Sequence, residues 1–257
     1  MGTTLASDDA RILHLHVQHV PASMPLAWIK AGWLDLRRNW AASLGYGALI
    51  TALGWTILVF CAIHPYLIAA AISGFLLVGP LMSAGFCEMS RRYALSQPAS
   101  FDDSLEGFAR NALALFEFGV ILAACAVLWF LISAVMLDEV FKISTPRVAT
   151  TIYQGFMDSA NRGQILAYVA IGGLLAIGVF AMSVVAVPLI VDRHATATQA
   201  VRASVRAVLA NAPAMIVWSA SILLLTVLGY APLLLGLVIT VPLMGHASWH
   251  AYKGLIR

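Results

Sequence analysis

Residues 34–55 read LDLRRNWAASLGYGALITALGW: an acid and two arginines, one asparagine, then an apolar run that continues to about residue 62. The change of character falls at Asn39. Asparagine is among the best helix N-caps, because its side chain accepts a bond from a backbone N–H that has no partner within the helix. The run that follows meets the ~20 residues a helix needs to cross the hydrocarbon of a bilayer. The stretch therefore reads as the entry of a membrane span.

The rest of the chain repeats this character. Of its 257 residues, 61% are hydrophobic, against roughly 45–50% in an ordinary soluble domain. Only 11% are charged. A soluble fold of this length cannot hide so much apolar surface, so lipid must solvate most of it. Apolar runs lie at about 40–62, 66–88, 112–137, 164–191, 212–230 and 232–250, with proline turns at IHPY (63–66) and GYAP (229–232). Six spans are predicted. The expected domain organisation is a flexible polar tail over 1–24 and one membrane domain over 25–257. Residues 1–24 have no continuous apolar stretch and do not read as a cleavable signal peptide.

Orientation follows from the basic residues. With both termini in the cytoplasm, that side holds Arg11, Lys30, Arg37, Arg38, Arg91, Arg92, Arg110, Arg193, Arg202, Arg206, Lys253 and Arg257. Lys142, Arg147 and Arg162 are left on the outer side, all in the loop 138–163. In that loop Val148, Ile152 and Phe156 recur at helical spacing, which predicts an interfacial helix or a docking surface.

Three asparagines each open a span: Asn39 in RRNWAASL, Asn111 in ARNALALF and Asn211 in LANAPAMI. Ten, six and three residues before each stand Ile29, Trp33, Leu36; Phe101, Leu105, Phe108; and Val201, Val205, Val208. All nine are apolar and each trio forms one helical stripe, with the charged residues off it. Ser100 with Asp103 adds a capping-box signal. Three short amphipathic helices along the cytoplasmic interface are expected. The second span of each pair carries a proline: Pro80 in GPLMSAG, Pro188 in VPLIVDR and Pro242 in VPLMGHA. Proline removes a backbone donor and bends a membrane helix. The expected fold is thus all-α: a polytopic bundle of six transmembrane helices in three repeated hairpins, each preceded by a cytoplasmic amphipathic helix. The repeats run over about 25–99, 100–195 and 196–257, as parallel copies about an axis normal to the bilayer.

Registering the copies on their prolines brings Glu88, Asp192, His194, His246 and His250 to the cytoplasmic ends of the second helices, as a candidate polar cluster. His246 and His250 stand four apart on one helix, the spacing of helical metal or haem sites, and imidazole with carboxylate suits zinc, iron, manganese or copper. The tail histidines His14, His16 and His19 lie within reach of the same face. The plainer reading is that SWHAYK (248–253) closes a span with an aromatic belt, and that Glu88 pairs with Arg91 and Arg92. No resident cofactor is expected on that reading. Glu117 is an isolated carboxylate ~9 Å past the Asn111 cap by helix rise. It is either a functional ionisable group in the span or a side chain that reaches back to the interface.

Cys61, Cys87 and Cys125 fall inside apolar runs without C-x-x-C spacing, so neither a disulfide framework nor a zinc ribbon is available. No P-loop, G-x-G-x-x-G after a strand, H-E-x-x-H or G-x-S-x-G occurs. The net charge of +3 sits where anionic lipid explains it better than nucleic acid does.

Four segments together carry a family resemblance: GWLDLRRNWAASLGYGALITALGW, GFLLVGPLMSAGFCEMSRR, SVVAVPLIVDR and GHASWHAYKGL. They resemble the prokaryotic predicted-integral-membrane-protein family called domain of unknown function 2189, over about 25–257. That family has no established activity, so no catalytic residues come with the resemblance. Some members are labelled cytochrome c oxidase subunits. The resemblance implies a non-enzymatic multi-pass protein of a bacterial inner membrane whose partners are the lipid bilayer and a membrane complex such as a respiratory oxidase. Two alternatives stand beside it. One is a small transporter or channel along the pseudo-threefold axis with Glu117 as its ionisable element; the other is a metal or haem carrier using His246 and His250.

Overall fold

A computed structural model describes residues 16–63, 68–141 and 162–257. Ten helices are present among them: α1 (Met24–Arg38), α2 (Trp40–Ile63), α3 (Ile68–Ala94), α4 (Phe101–Ala109), α5 (Ala112–Phe141), α6 (Arg162–Ser183), α7 (Ala186–Arg193), α8 (Ala197–Ala210), α9 (Ala212–Tyr230) and α10 (Leu237–Leu255). The one β-feature among the described residues is an isolated bridge between Val17 and Ile256. Most of the turn at 63–66, His14 and the bulk of the loop 138–163 lie outside the described residues.

Among the described residues, four segments are long and apolar enough to cross a membrane: Trp40–Phe60, Ala112–Met136, Leu166–Arg193 and Ala212–Tyr230. Their outward faces carry large apolar side chains, such as Leu113, Phe116, Leu174 and Leu223. In water such faces would be strongly unfavourable; against acyl chains they need no partner. The apolar run at 232–250 is not helical from its start. Residues 231–236 form turns, with Leu233 and Leu234 at φ 51° and 69°, and α10 begins at Leu237.

The asparagines stand where helices were expected to start. Ser43, Leu115 and Met215 donate their N–H to the carbonyls of Asn39, Asn111 and Asn211, the first backbone bonds of α2, α5 and α9. Short helices precede all three. The capping box at Ser100 and Asp103 is present on α4, and an equivalent one at Thr196 and Gln199 opens α8. On α1 Ser23 makes no such bond, and Pro25 occupies the first turn instead.

The buried faces of the short helices differ from the apolar stripes. Trp33 and Leu105, in the middle of two stripes, are exposed. On α4 and α8 the buried seam lies about one residue round the helix and is made of small residues: Ser104 and Gly107, Ser204 and Ala207. On α1, Gly32 and Asp35 are buried together with the larger Trp28 and Leu36. The physical reason is close approach. A Cβ at Gly32 would stand 2.6 Å from the backbone nitrogen of Ala247, and one at Gly107 would stand 2.5 Å from the carbonyl oxygen of Ala84. Small residues let two backbones meet, while the larger apolar residues remain outside for lipid.

The prolines sit differently in their helices. Pro80 and Pro242 lie inside α3 and α10. Near Pro188 the helix is interrupted at 184–185, and Ser204 explains the break. Its hydroxyl donates to the carbonyl of Ala181 at 2.7 Å and accepts from the N–H of Val185 at 3.3 Å. Those are the two groups that would otherwise bond each other, so a side chain has entered the helical ladder. Pro188, lacking an N–H, leaves the carbonyl four residues before it without its usual donor.

The chain forms two compact units. One comprises 1–54, 80–118 and 180–257 and holds the short helices, α7 and α10. The other comprises 55–79 and 119–179. In the second, Trp129 stacks on Tyr168 at 4.9 Å, Tyr168 lies 3.1 Å from the Ser133 hydroxyl, and Gly172 leaves room for the Trp129 ring.

Gly107→Val tests the close approach of α4 to α3. Overpacking there is expected to cost about 1–3 kcal/mol, read as a lower Tm in detergent. Gly45→Ala, where a Cβ meets nothing within 4 Å, should leave Tm unchanged or raise it slightly. Equal effects from the two variants would refute the packing account.

Candidate functional site

The polar side chains of the first unit fall into three groups. The first is a buried chain of hydroxyls, imidazoles and a carboxylate. Asp35 is on α1, Ser43 on α2, Ser90 on α3, and His246 and His250 on α10. His246 is fully buried, with Nε2 3.0 Å from the Ser43 hydroxyl and Nδ1 2.8 Å from the Ser90 hydroxyl. The Ser90 hydroxyl also lies near Asp35 and helps to lower its pKa, and His250 Nε2 lies 2.8 Å from Asp35 Oδ2.

A hydroxyl can donate or accept, so either neutral tautomer of His246 pairs with both serines, one ring nitrogen donating and the other accepting. The order serine, imidazole, hydroxyl, carboxylate resembles an activated nucleophile, but Ser43 is fully buried in α2, where no substrate can reach it. The chain acts as a polar strut joining four helices. A buried network of this kind is stabilising only when every member is satisfied, and this one is.

Burial opposes ionisation of Asp35. Hydrogen bonds from His250 and Ser90, with the two nearby imidazoles, outweigh it and hold the carboxyl below its ordinary value of 3.8. The same carboxylate has Arg38 at 3.8 Å.

The second group surrounds Glu88, which is fully buried. Arg91 grips it with two bonds, Nε to Oε2 at 2.8 Å and Nη2 to Oε1 at 2.6 Å. Arg92 Nε reaches Oε1 at 3.2 Å, and Arg110 Nε lies 3.7 Å from Oε2. Arg92 then extends to Asp103 at 3.0 Å and Glu106 at 2.7 Å on α4. The expected helix-end pairing of Glu88 with Arg91 and Arg92 is therefore present, enlarged by Arg110 from the next short helix. The third group is Asp192, which accepts from Tyr252 at 2.6 Å and has Lys253 at 3.4 Å. Arg193 donates to the same tyrosine oxygen at 3.1 Å.

The five residues expected to meet at one mouth are thus divided. His246 and His250 are linked through Asp35; Glu88 and Asp192 lie in separate ion-pair groups. His194 is exposed, in a left-handed conformation (φ 54°) that ends α7. Among the described residues, no group of three or more His, Cys, Asp or Glu side chains is arranged to hold a metal ion. Both ring nitrogens of His246 face hydroxyls rather than a common centre with His250. Glu117 is exposed on α5, on the side that carries Leu113, Phe116 and Val120. Asp35, Ser43 and Ser90 carried no motif and were not singled out from sequence. The one available signal was the unusual acid inside the buried seam of a short helix.

The three asparagines form a further set, unlike simple caps. Asn39 Nδ2 donates to the carbonyl of Ala99, just before the N-cap of α4. Asn111 Nδ2 donates to the carbonyl of Ala195 at 3.0 Å, just before the N-cap of α8. Asn211 Nδ2 donates to the carbonyl of Gln18 at 2.9 Å, in the segment that leads into α1, and its Oδ1 accepts from Val20 N–H at 2.8 Å. Only Asn39 also makes a side-chain cap, accepting from Ala42 at 3.3 Å; Asn211 makes none.

Residues 67–192 match the family model described as Predicted integral membrane protein (DUF2189). It is the family that the sequence resembles, and the protein is a predicted integral membrane protein. No curated protein and no solved structure matches the chain. The DUF2189 match takes in Pro80, Glu88, Asn111, Glu117, Pro188 and Asp192. The Asp35–His246–His250 chain, with Asn39 and Asn211, lies beyond its ends.

Two variants separate the groups. Glu88→Gln leaves partly buried guanidinium groups without their carboxylate, and a loss of about 1–3 kcal/mol is expected, seen as a fall in Tm. For Asp35 the depressed pKa means that its contribution is present above pH 3.8 and is lost as pH falls through the lower folded value. Unfolding measured from pH 6 down to acid should show this loss in the parent and a flatter profile in Asp35→Asn. Matching profiles would refute the role given to the carboxylate.

Proposed function

We propose that this is a non-enzymatic bacterial inner-membrane protein of six spans, arranged as three repeated hairpins. Its role is that of an accessory or assembly component of a membrane complex such as a respiratory oxidase. The repeats are those over about 25–99, 100–195 and 196–257. The observation that carries the architecture is the cyclic order of the asparagine bonds. The amide of the first copy holds the lead-in to the second, that of the second holds the lead-in to the third, and that of the third returns to the first.

The short helices follow the same order. α1 lies on α10 at Gly32 and Ala247, α4 lies on α3 at Gly107 and Ala84, and Ser204 of α8 bonds the Pro188 segment. Each therefore packs on the proline helix of the copy before it. At the closing seam no peptide bond joins the copies. Backbone bonds substitute: Gln18 N–H to Leu255 O at 2.9 Å, His16 N–H to Arg257 O at 3.2 Å and Arg257 N–H to His16 O at 3.1 Å. These bonds set both ends of the described chain side by side, which supports termini on one face, and the distribution of basic residues supports a cytoplasmic location for that face.

The accessory role is supported by the family resemblance and by the character of the polar groups, which are engaged with one another. A transporter reading would turn Glu117 toward a pathway, whereas it is exposed among apolar neighbours on α5. A metal or haem reading would need free ring nitrogens on both His246 and His250, and those of His246 are occupied.

Two measurements test this. Asn39→Ala, Asn111→Ala and Asn211→Ala should each cost about 1–3 kcal/mol, since each strands a backbone carbonyl; a cost confined to one position would refute the repeated role of the asparagines. Purification of the tagged protein from native membranes should bring down oxidase subunits, identified by mass spectrometry and haem absorbance. Deletion of the gene should reduce assembled oxidase. Failure of both outcomes would overturn the accessory role.

A further inference from the structure

The three short helices share one register, so their outward faces can be compared position by position. Nine residues before each asparagine stand Lys30, Asp102 and Arg202; five before, Leu34, Glu106 and Arg206. All six are exposed. On α1, Lys30 and Arg37 are separated by the exposed Trp33, with Trp40 one turn beyond. On α8, Arg202 and Arg206 stand beside the exposed Leu209. Arg38, Arg91, Arg92, Arg110 and Lys253 are engaged with carboxylates inside the fold. Lys30, Arg37, Arg202 and Arg206 make no ion pair among the described residues.

We infer that the outward faces of α1 and α8 are binding surfaces for anionic phospholipid headgroups, and that the equivalent face of α4 is not. Guanidinium and ammonium groups supply the charge that a phosphodiester needs, and guanidinium matches its geometry. Trp33, Trp40 and Leu209 place apolar surface at the depth where acyl chains begin, with tryptophan preferring that boundary. On α4 the same positions carry Asp102 and Glu106, the latter already paired with Arg92, so no free cation is presented to a headgroup there. Two of the three short helices therefore present a surface for anionic lipid, and the third does not. This deepens the proposed architecture and rests on it only for the placement of α1 and α8 at one membrane face.

The test uses the full chain, stripped of lipid in mild detergent and titrated with phosphatidylglycerol or phosphatidylcholine of identical acyl chains. Bound lipid is counted by native mass spectrometry. Phosphatidylglycerol should be preferred at least tenfold, since each basic residue near such a surface contributes about fivefold. The preference should shrink as salt is raised. The combined variant Lys30→Gln, Arg37→Gln, Arg202→Gln and Arg206→Gln should lose it while keeping its Tm, because all four side chains are exposed. Asp102→Asn serves as a control and should not reduce it. Equal occupancy by the two lipids, or a preference that survives in the combined variant, overturns the inference. Displacement by glycerol phosphate as effective as by phosphatidylglycerol also overturns it, since the site would then be one for a free anion. Cysteine labelling of α1 and α8 from the two sides of sealed vesicles reports independently on the topology, so a failed placement is distinguishable from a failed lipid surface.

Discussion

Backbone carbonyls at the ends of irregular segments need donors, and in a chain that lives mostly in lipid those donors must come from the protein itself. Here the demand is met by side-chain amides at Asn39, Asn111 and Asn211. Each amide nitrogen reaches a carbonyl in a segment that leads into another short helix. A cap would tie a helix to itself. These bonds tie each short helix to the base of a different span. The lead-ins to α1, α4 and α8 are each fixed by this one type of contact.

Close packing then follows from residue size. Between apolar helices in a membrane, the hydrophobic effect does not favour burial of a leucine against protein over burial against lipid. What favours contact is a surface flat enough for backbones to touch, with hydrogen bonds to hold it. Gly32 against Ala247, Gly107 against Ala84 and the Ser204 hydroxyl inside the helical ladder near Val185 are three solutions to that requirement. The polar strut from Ser43 through His246 and Ser90 to Asp35 adds register, because a serine or imidazole shifted by one residue would be left buried without a partner.

Ion pairs at the helix ends show the same economy. Glu88 collects Arg91, Arg92 and Arg110 from two elements, and Arg92 passes the contact on to Asp103 and Glu106. Asp192 with Tyr252 and Lys253 joins the end of α7 to the end of α10. The charged residues near the membrane face therefore divide into those that hold helices to each other and those that face outward.

Composition and periodicity alone were enough for an all-helical membrane chain, for the asparagines at helix starts, for the short helices before them and for the pairing of Glu88 with its arginines. Those features are local: a period of 3.6, a cap residue, a neighbour three or four positions away. The apolar stripes leave Trp33 and Leu105 exposed, since in lipid the apolar side is the one that needs no protein. The spacing of His246 and His250 showed that both share a helix face. It could not show that Asp35, more than two hundred residues earlier, stands between them, nor that Ser43 and Ser90 occupy both nitrogens of His246. Which carbonyl each asparagine reaches was likewise invisible. Contacts between residues far apart in the chain depend on how close two backbones come, and that distance is decided only when small residues such as Gly32 and Gly107 meet their counterparts in the folded molecule.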